Sequence, residues 1–323
     1  MGTIVEKEPG TAKANLDVFA ATLLELARTD PDIVVVTSDS RGSGKLTPFG
    51  QTFPERHVEV GIAEQNLVGV AAGLASAGKK VFAVSPACFL TARALEQIKN
   101  DVAYSDNPVN VIGISAGVSY GALGTTHHSL HDFAVLRAIN NIIIMAPADA
   151  FETTQAIRMA AASPRPYYIR FGKKSMPLLS STGKQVFETG RGRVIKEGND
   201  LALVATGETV YPALQAAERL EAAHGVAATV ISMHTIKPLD YELLGQIASN
   251  GQPVITVEEH MVYGGLGEAC AAFLLQQGFC NRFKIIGIPD EYTVTGSQTE
   301  ILEHYGISAD GIKTAALQLL RKG

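Results

Sequence analysis

Short, nearly unbroken apolar runs alternate along the chain with longer stretches whose apolar residues return every three or four positions. DIVVVT (32–37), KVFAVS (80–85), VNVIGIS (109–115), NIIIMAP (141–147) and PYYIRF (166–171) read as buried strands. Helices are predicted over 14–28 and 94–105. Residues 176–200 break the rhythm with Gly, Ser and charge, after which LALVATG, AATVISM, PVITVEE and FKIIGIP take it up again, each followed by a helical stretch. Strand-then-helix alternation of this kind predicts an α/β fold of two doubly wound domains with mostly parallel sheets, spanning 1–185 and 186–323. A length of 323 residues agrees, because single cores stop growing beyond roughly 250–300 residues.

One stretch combines the pattern with a charge. HVEV (57–60) predicts a short strand, Gly61 a turn, and Ala63 to Ala77 a helix that Gly78 ends. Eight of the ten residues from Gly69 to Gly78 are Gly, Ala or Ser, on all faces, so neighbouring backbones can approach closely and the helix is expected to be central, at a subunit interface. Glu64 stands in its first turn. There the helix dipole favours a carboxylate whether or not it has a chemical role.

Charge and composition narrow the function. The net charge of −5, with 27 basic and 32 acidic residues interspersed, provides no positive field for a nucleic acid backbone. Cys88, Cys270 and Cys280 are an odd set without CxxC spacing, which points to a reducing, cytoplasmic setting. The N-terminal MGTIVEKEPGTAK has no apolar signal core, Glu6 spoils a myristoylation pattern, and no segment reaches the roughly 18 apolar residues of a membrane span. RGSGKLT (41–47) lacks the first glycine and the hydroxyl residue of a nucleotide P-loop. YGALGTTHHSLHD brings His127, His128 and His131 beside Asp132, but adjacent histidines rarely point at one ion, and no metal site is expected in this chain.

GIAEQN, the small-residue helix, AVSPACFLTARALEQIKND and GTTHHSLHD, in that order, resemble the pyrimidine-binding domain of transketolase-like thiamine diphosphate enzymes. ATGETV, MHTIKPLD and VEEHMVYGGLGEA are similar to their C-terminal domain, so the resemblance covers nearly the whole chain. The family's diphosphate domain, with its GDG motif and Mg²⁺-binding Asn, has no counterpart. The resemblance therefore implies the C-terminal subunit of a split transketolase, moving a two-carbon ketol unit from a ketose to an aldose. Thiamine diphosphate and Mg²⁺ would be shared with an N-terminal subunit that holds the metal, in an α2β2 assembly built on a homodimer of this chain.

The same resemblance assigns the site. Glu64 is placed against N1′ of the cofactor's pyrimidine, where a partly buried glutamate can share a proton with a weakly basic nitrogen. Phe89 is the candidate aromatic seat for that ring, with core packing an equal alternative. His127 is placed near the donor sugar and the cofactor's C2, donating hydrogen bonds to hydroxyls, on a loop that Gly117, Gly121 and Gly124 let approach a ligand. His128 and His131 are left to cap or face solvent, and His260 to a structural or interface role. Arg170 is implied as a phosphate ligand, with a structural salt bridge as its alternative. Ser43 and Leu123 complete the substrate set. Leu123 stands where ordinary transketolases carry an Asp that reads a sugar hydroxyl, and Ala12 and Ser115 fall where phosphate ligands are usual, so a branched, deoxy or sulfonated sugar is expected. The rival enzymes are a 2-oxo acid dehydrogenase β subunit and half of a deoxyxylulose phosphate synthase; a non-catalytic scaffolding subunit is the rival of another class.

Overall fold

The computed structural model describes residues 12–181 and 187–321. The domain boundary expected at 185 and most of the N-terminal segment lie outside the described residues. The strands are β1 (Lys13–Ala14), β2 (Ile33–Thr37), β3 (His57–Glu59), β4 (Lys80–Pro86), β5 (Val109–Ile114), β6 (Ile143–Met145), β7 (Tyr167–Phe171) and β8 (Ser175–Met176), then β9 (Arg193–Lys196), β10 (Leu201–Ala205), β11 (Ala228–Ser232), β12 (Thr235–Lys237), β13 (Val254–Met261) and β14 (Phe283–Ile288).

A seven-stranded sheet runs in the order β12-β6-β7-β5-β4-β2-β3, and a five-stranded sheet in the order β14-β13-β10-β11-β9. Every pairing within them is parallel except β12 on β6 and β9 on β11. The first sheet is buried on both faces, as parallel sheets must be when crossover helices cover them. Ile33, Val35, Phe82, Val84, Ile112 and Ile114 pack on one side. Val36, Val81, Ala83, Val109 and Val111 pack on the other. The alternation follows the two-residue period of a strand.

The second of these cores does not end at the first unit. Ala202, Val204, Ile231 and Val254, from the five-stranded sheet, belong to the same apolar cluster, so the two units are joined by a continuous core. Their covalent order is also interleaved. β12 comes after the second unit's β11, yet it pairs antiparallel with β6, Thr235 opposite Met145 and Lys237 opposite Ile144. A division of the chain at one point does not anticipate that strand.

Two helical expectations are refined. The stretch predicted over 94–105 begins as the α-turn Leu95–Gln97 and continues as a π-helix, Ile98–Tyr104, whose wider turn buries Ile98, Val102 and Ala103. The helix Glu64–Ser76 buries Glu64, Leu67, Val68, Ala71, Ala72 and Ala75 on one face. Its other face is open in the single chain: Gln65, Asn66, Gly73 and Ser76 are exposed. It therefore lines one side of the unit rather than running through its centre.

Candidate active site

Each side chain of interest follows the carboxyl end of a parallel strand. Ser43 and Lys45 come after β2, Glu64 after β3, Phe89 and Arg93 after β4, His127 after β5, and Lys173 after β7. In open α/β sheets this is the edge at which ligands are held, because the loops there converge while the strand interiors stay packed.

Glu64 is set by the turn before it. Gly61 takes a left-handed φ of +74°, and its amide and that of Asp39 donate to Glu59 Oε1 at 2.9 and 2.7 Å, while the Thr37 hydroxyl donates to Oε2 at 2.7 Å. Burial opposes the Glu59 charge, but these three donors outweigh it and hold the carboxyl below its usual range. Glu64 itself is 4% exposed. Arg93 Nη1 donates to both its oxygens, at 2.9 and 3.0 Å. The carboxylate is thus half of an ion pair, and Arg93 is a partner that the sequence reading missed.

From Arg93 the contacts continue without a break. Its guanidinium lies 4.4 Å from the centroid of Phe89, one helical turn away at i−4. Phe89 meets the His127 ring edge-on at 5.3 Å, His127 meets Tyr120 at 5.6 Å, and Lys173 Nζ lies 3.9 Å over Tyr120. At the Glu64 end is an open cavity of about 540 Å³ bounded by Ile62, Glu64, Asn66 and Arg93. At the Lys173 end is a smaller one of about 280 Å³, bounded by Ser43, Lys45, Lys173 and Asp17. Burial and the neighbouring Lys45 charge lower the Lys173 pKa, so an anion bound between the two lysines would relieve their repulsion.

The three histidines of the loop go to three places. His127 stays among the rings, with Thr126 Oγ1 3.0 Å from its Nδ1. His128 is buried, contrary to the expectation of a capping or solvent-facing residue: its Nε2 donates to the Gly121 carbonyl at 3.0 Å and its Nδ1 faces Thr293 Oγ1 at 2.8 Å. His131 lies 3.3 Å from the Thr91 hydroxyl. Leu123 is 55% exposed on the short 3-10 turn Gly121–Leu123.

Arg170 is not at the mouth of the site. It is buried, with Nη1 on Asp132 at 2.9 Å, Nη2 on the Glu259 carbonyl at 2.8 Å and its plane 4.0 Å from Phe133. Burial penalises the Asp132 charge, yet Arg170, His260 and the Tyr168 hydroxyl outweigh it and hold that carboxyl low. The structural alternative, a buried salt bridge, describes Arg170; the lysines that line the smaller cavity are Lys173 and Lys45, the second 3.7 Å from Asp17 Oδ1. His260 belongs to the same interior layer. It stacks on Phe133 at 5.1 Å, donates from Nδ1 to the Met261 carbonyl at 2.7 Å, and is pushed down to about 4 by burial. The strand-end rule would have found Lys173, two residues past β7, and helical spacing would have paired Phe89 with Arg93.

A buried carboxylate, an aromatic ring and a pair of lysines at the carboxyl edge of a parallel sheet mark an α/β protein with its candidate binding site where such sheets hold ligands. Residues 12–177 match the transketolase pyrimidine-binding domain and residues 190–312 the transketolase C-terminal domain. The chain is 47% identical over 304 residues to an apulose-4-phosphate transketolase subunit from Phocaeicola vulgatus, covering 94% of this chain and 96% of that protein. It is 37% identical to the 1-deoxy-D-xylulose-5-phosphate synthase of Desulfotalea psychrophila over 99% of this chain, but spans only 50% of that longer enzyme. Among solved structures, a split-gene transketolase described as an inactive tetramer of beta chains superposes with a TM-score of 0.85 at 38% identity, over 95% of this chain and 98% of that one. The chain belongs to the transketolase family.

The family implies thiamine diphosphate, and the residues present fit its pyrimidine. Among the described residues, Glu64 is the one carboxylate lining the larger cavity, and its side-chain partner there, Arg93, is half exposed. The Phe89 ring lies within reach of the same guanidinium.

Proposed function

We propose that this chain is the C-terminal subunit of a two-chain transketolase that moves a two-carbon ketol unit between phosphorylated sugars. The observation that carries the reading is the buried Glu64 carboxylate on the cavity wall, linked through Arg93, Phe89, His127 and Tyr120 to a lysine pocket. Thiamine diphosphate, when bound, supplies a nucleophilic thiazolium carbon that also serves as an electron sink. Glu64 holds a proton at the pyrimidine N1′, which requires Arg93 to give up the carboxylate. Phe89 offers a face or edge to the ring, and His127 donates hydrogen bonds to sugar hydroxyls. Lys173 and Lys45 neutralise the sugar's phosphate, with the Ser43 hydroxyl beside them. The diphosphate and Mg²⁺ are held by the N-terminal partner subunit. Two copies of this chain meet through the open face of the helix Glu64–Ser76, within an α2β2 assembly. The inactive beta-chain tetramer among the relatives supports both self-association and the need for a partner.

Leu123 cannot pair with a sugar hydroxyl, so the preferred ketose differs from the usual pentose 5-phosphates. Apulose 4-phosphate, named in the relatives, carries its phosphate at a different carbon and is the first sugar to test. The chain is to be reconstituted with its N-terminal partner and kcat/KM compared for apulose 4-phosphate and xylulose 5-phosphate. A value for xylulose 5-phosphate equal to or above that for apulose 4-phosphate would sink the specificity argument. Formation of 1-deoxy-D-xylulose 5-phosphate by the complex would favour the synthase-like alternative that the 37% identity supports.

A further inference from the structure

The loop 116–131 that carries His127 holds itself by a chain of tight turns and the 3-10 turn Gly121–Leu123. Gly117, Gly121 and Gly124 take left-handed φ values of +62°, +50° and +74°. Within the first unit the Ala116 amide donates to the Phe171 carbonyl at 3.0 Å, Gly117 and Ser129 form a bridge, His127 meets Phe89, Lys173 lies over Tyr120 and His131 lies near the Thr91 hydroxyl. Its other anchors come from the C-terminal unit. Glu259 Oε1 accepts from the Val118 amide at 2.7 Å. Thr293 engages both Thr125 and His128, the Met261 amide donates to the Leu130 carbonyl at 3.0 Å, and Gly121 lies against the Gly296 carbonyl.

Among these anchors Glu259 is a carboxylate, and it is itself gripped. Gln298 Nε2 donates at 3.1 Å to Glu259 Oε1 and at 3.1 Å to Glu208 Oε2, holding two buried carboxyl groups together. A Cβ on Gly117 would collide with the Glu259 carboxyl, so the loop backbone is seated directly on that group. A buried amide left without an acceptor is costly, so this bond pins the residue after Gly117, where the loop turns.

We propose that Glu259 is a positioning residue for His127: by holding the Val118 amide it fixes the loop 116–131, so that the C-terminal unit sets the geometry of the reaction centre. The activity part of the test rests on the transketolase reading, and the exchange part does not. Glu259→Gln keeps an oxygen for the Val118 amide; Glu259→Met keeps the volume and loses the acceptor. In hydrogen–deuterium exchange of the full chain without cofactor, Glu259→Met is expected to speed exchange across 116–131 roughly tenfold, the scale of one lost buried hydrogen bond. Strand β5 should be unchanged, and Glu259→Gln should stay near wild type. The His127 imidazole resonances should shift with Met and not with Gln. Wild-type loop protection and unshifted His127 in a folded Glu259→Met protein would overturn the proposal. Should that variant not fold, Glu259→Ala, which also removes the acceptor and leaves the Gly117 backbone unstrained, decides by the same readout: faster loop exchange supports the anchor and wild-type exchange refutes it. In the complex with the N-terminal subunit, kcat should fall about tenfold with Met and recover with Gln. A wild-type complex inactive on every sugar would fail the functional reading while leaving the exchange result to decide this one.

Discussion

Glu64 and Arg93 are a pair in which one member is buried and the other half exposed. Glu64→Gln keeps the shape and removes the acid, so kcat of the reconstituted complex should fall on the order of 10²–10⁴ while folding survives. Near-normal turnover would remove the main support of the reading. Arg170 and Lys173 should separate just as clearly. Arg170→Met leaves Asp132 buried without its cation, and breaking such a pair costs about 3–5 kcal/mol, visible as a lower denaturation midpoint. Lys173→Ala should leave the midpoint alone and raise KM for phosphorylated sugars, a surface cation having little structural value. A raised KM without destabilisation in Arg170→Met would reverse the assignment. These two residues also show what was legible in the sequence. Glu64, Phe89 and His127 are legible through the resemblance that GIAEQN, AVSPACFLTARALEQIKND and GTTHHSLHD carry, and the structure joins the three by way of Arg93. Arg170 and Lys173 are three residues apart, and only the end of β7 distinguishes them: the first is still within the buried strand, the second beyond it. Helical spacing sets Arg93 beside Phe89, but its pairing with Glu64 and the hold of Glu259 on Val118 are contacts across the chain that no local pattern encodes.

At the scale of elements, the strands and helices were readable because apolar period and length agree, with every predicted strand of the first unit found within a few residues. The small-residue helix was readable as a helix but not in its setting. Small residues permit close packing on every side, and the chain uses only one side for itself. Gly69 and Gly73 have open space where a Cβ would stand. Gly69→Leu should therefore fold normally, even gaining up to about 1 kcal/mol in helix propensity, while obstructing a second copy. Light scattering should report a smaller species than wild type with an unchanged circular dichroism spectrum. An unaltered oligomer would move the interface elsewhere.

For the whole molecule, the buried titratable groups of the second unit set a pH window. Burial, with the neighbouring Glu259 charge, raises Glu208 from 4.5 to about 8, and burial raises Glu258 to about 7. The native state keeps protons that the unfolded chain has released, so the stability they contribute is lost as pH climbs from about 4.5 through 8. His234 and His260 are depressed by burial from 6.5 to about 3 and about 4. They stay neutral while the unfolded chain takes up protons, so their contribution is lost as pH falls below 6.5. The two effects oppose each other between 4.5 and 6.5, and only the carboxyls act above that. Urea midpoints should be higher at about pH 5.5 than at about pH 8, and Glu208→Gln with Glu258→Gln should flatten the difference. A wild-type midpoint that rises toward pH 8 contradicts this balance.

The pairing of β12 with β6 decides where this polypeptide can be cut. A product ending near residue 185 would lack β12 and leave the β6 backbone bare along one side, and bare strand edges recruit other chains. Such a fragment is expected to precipitate or exchange strands with its copies, because it also bares the apolar face that Ala202, Val204, Ile231 and Val254 cover. A break between β6 and β12 therefore separates a sheet from its own border.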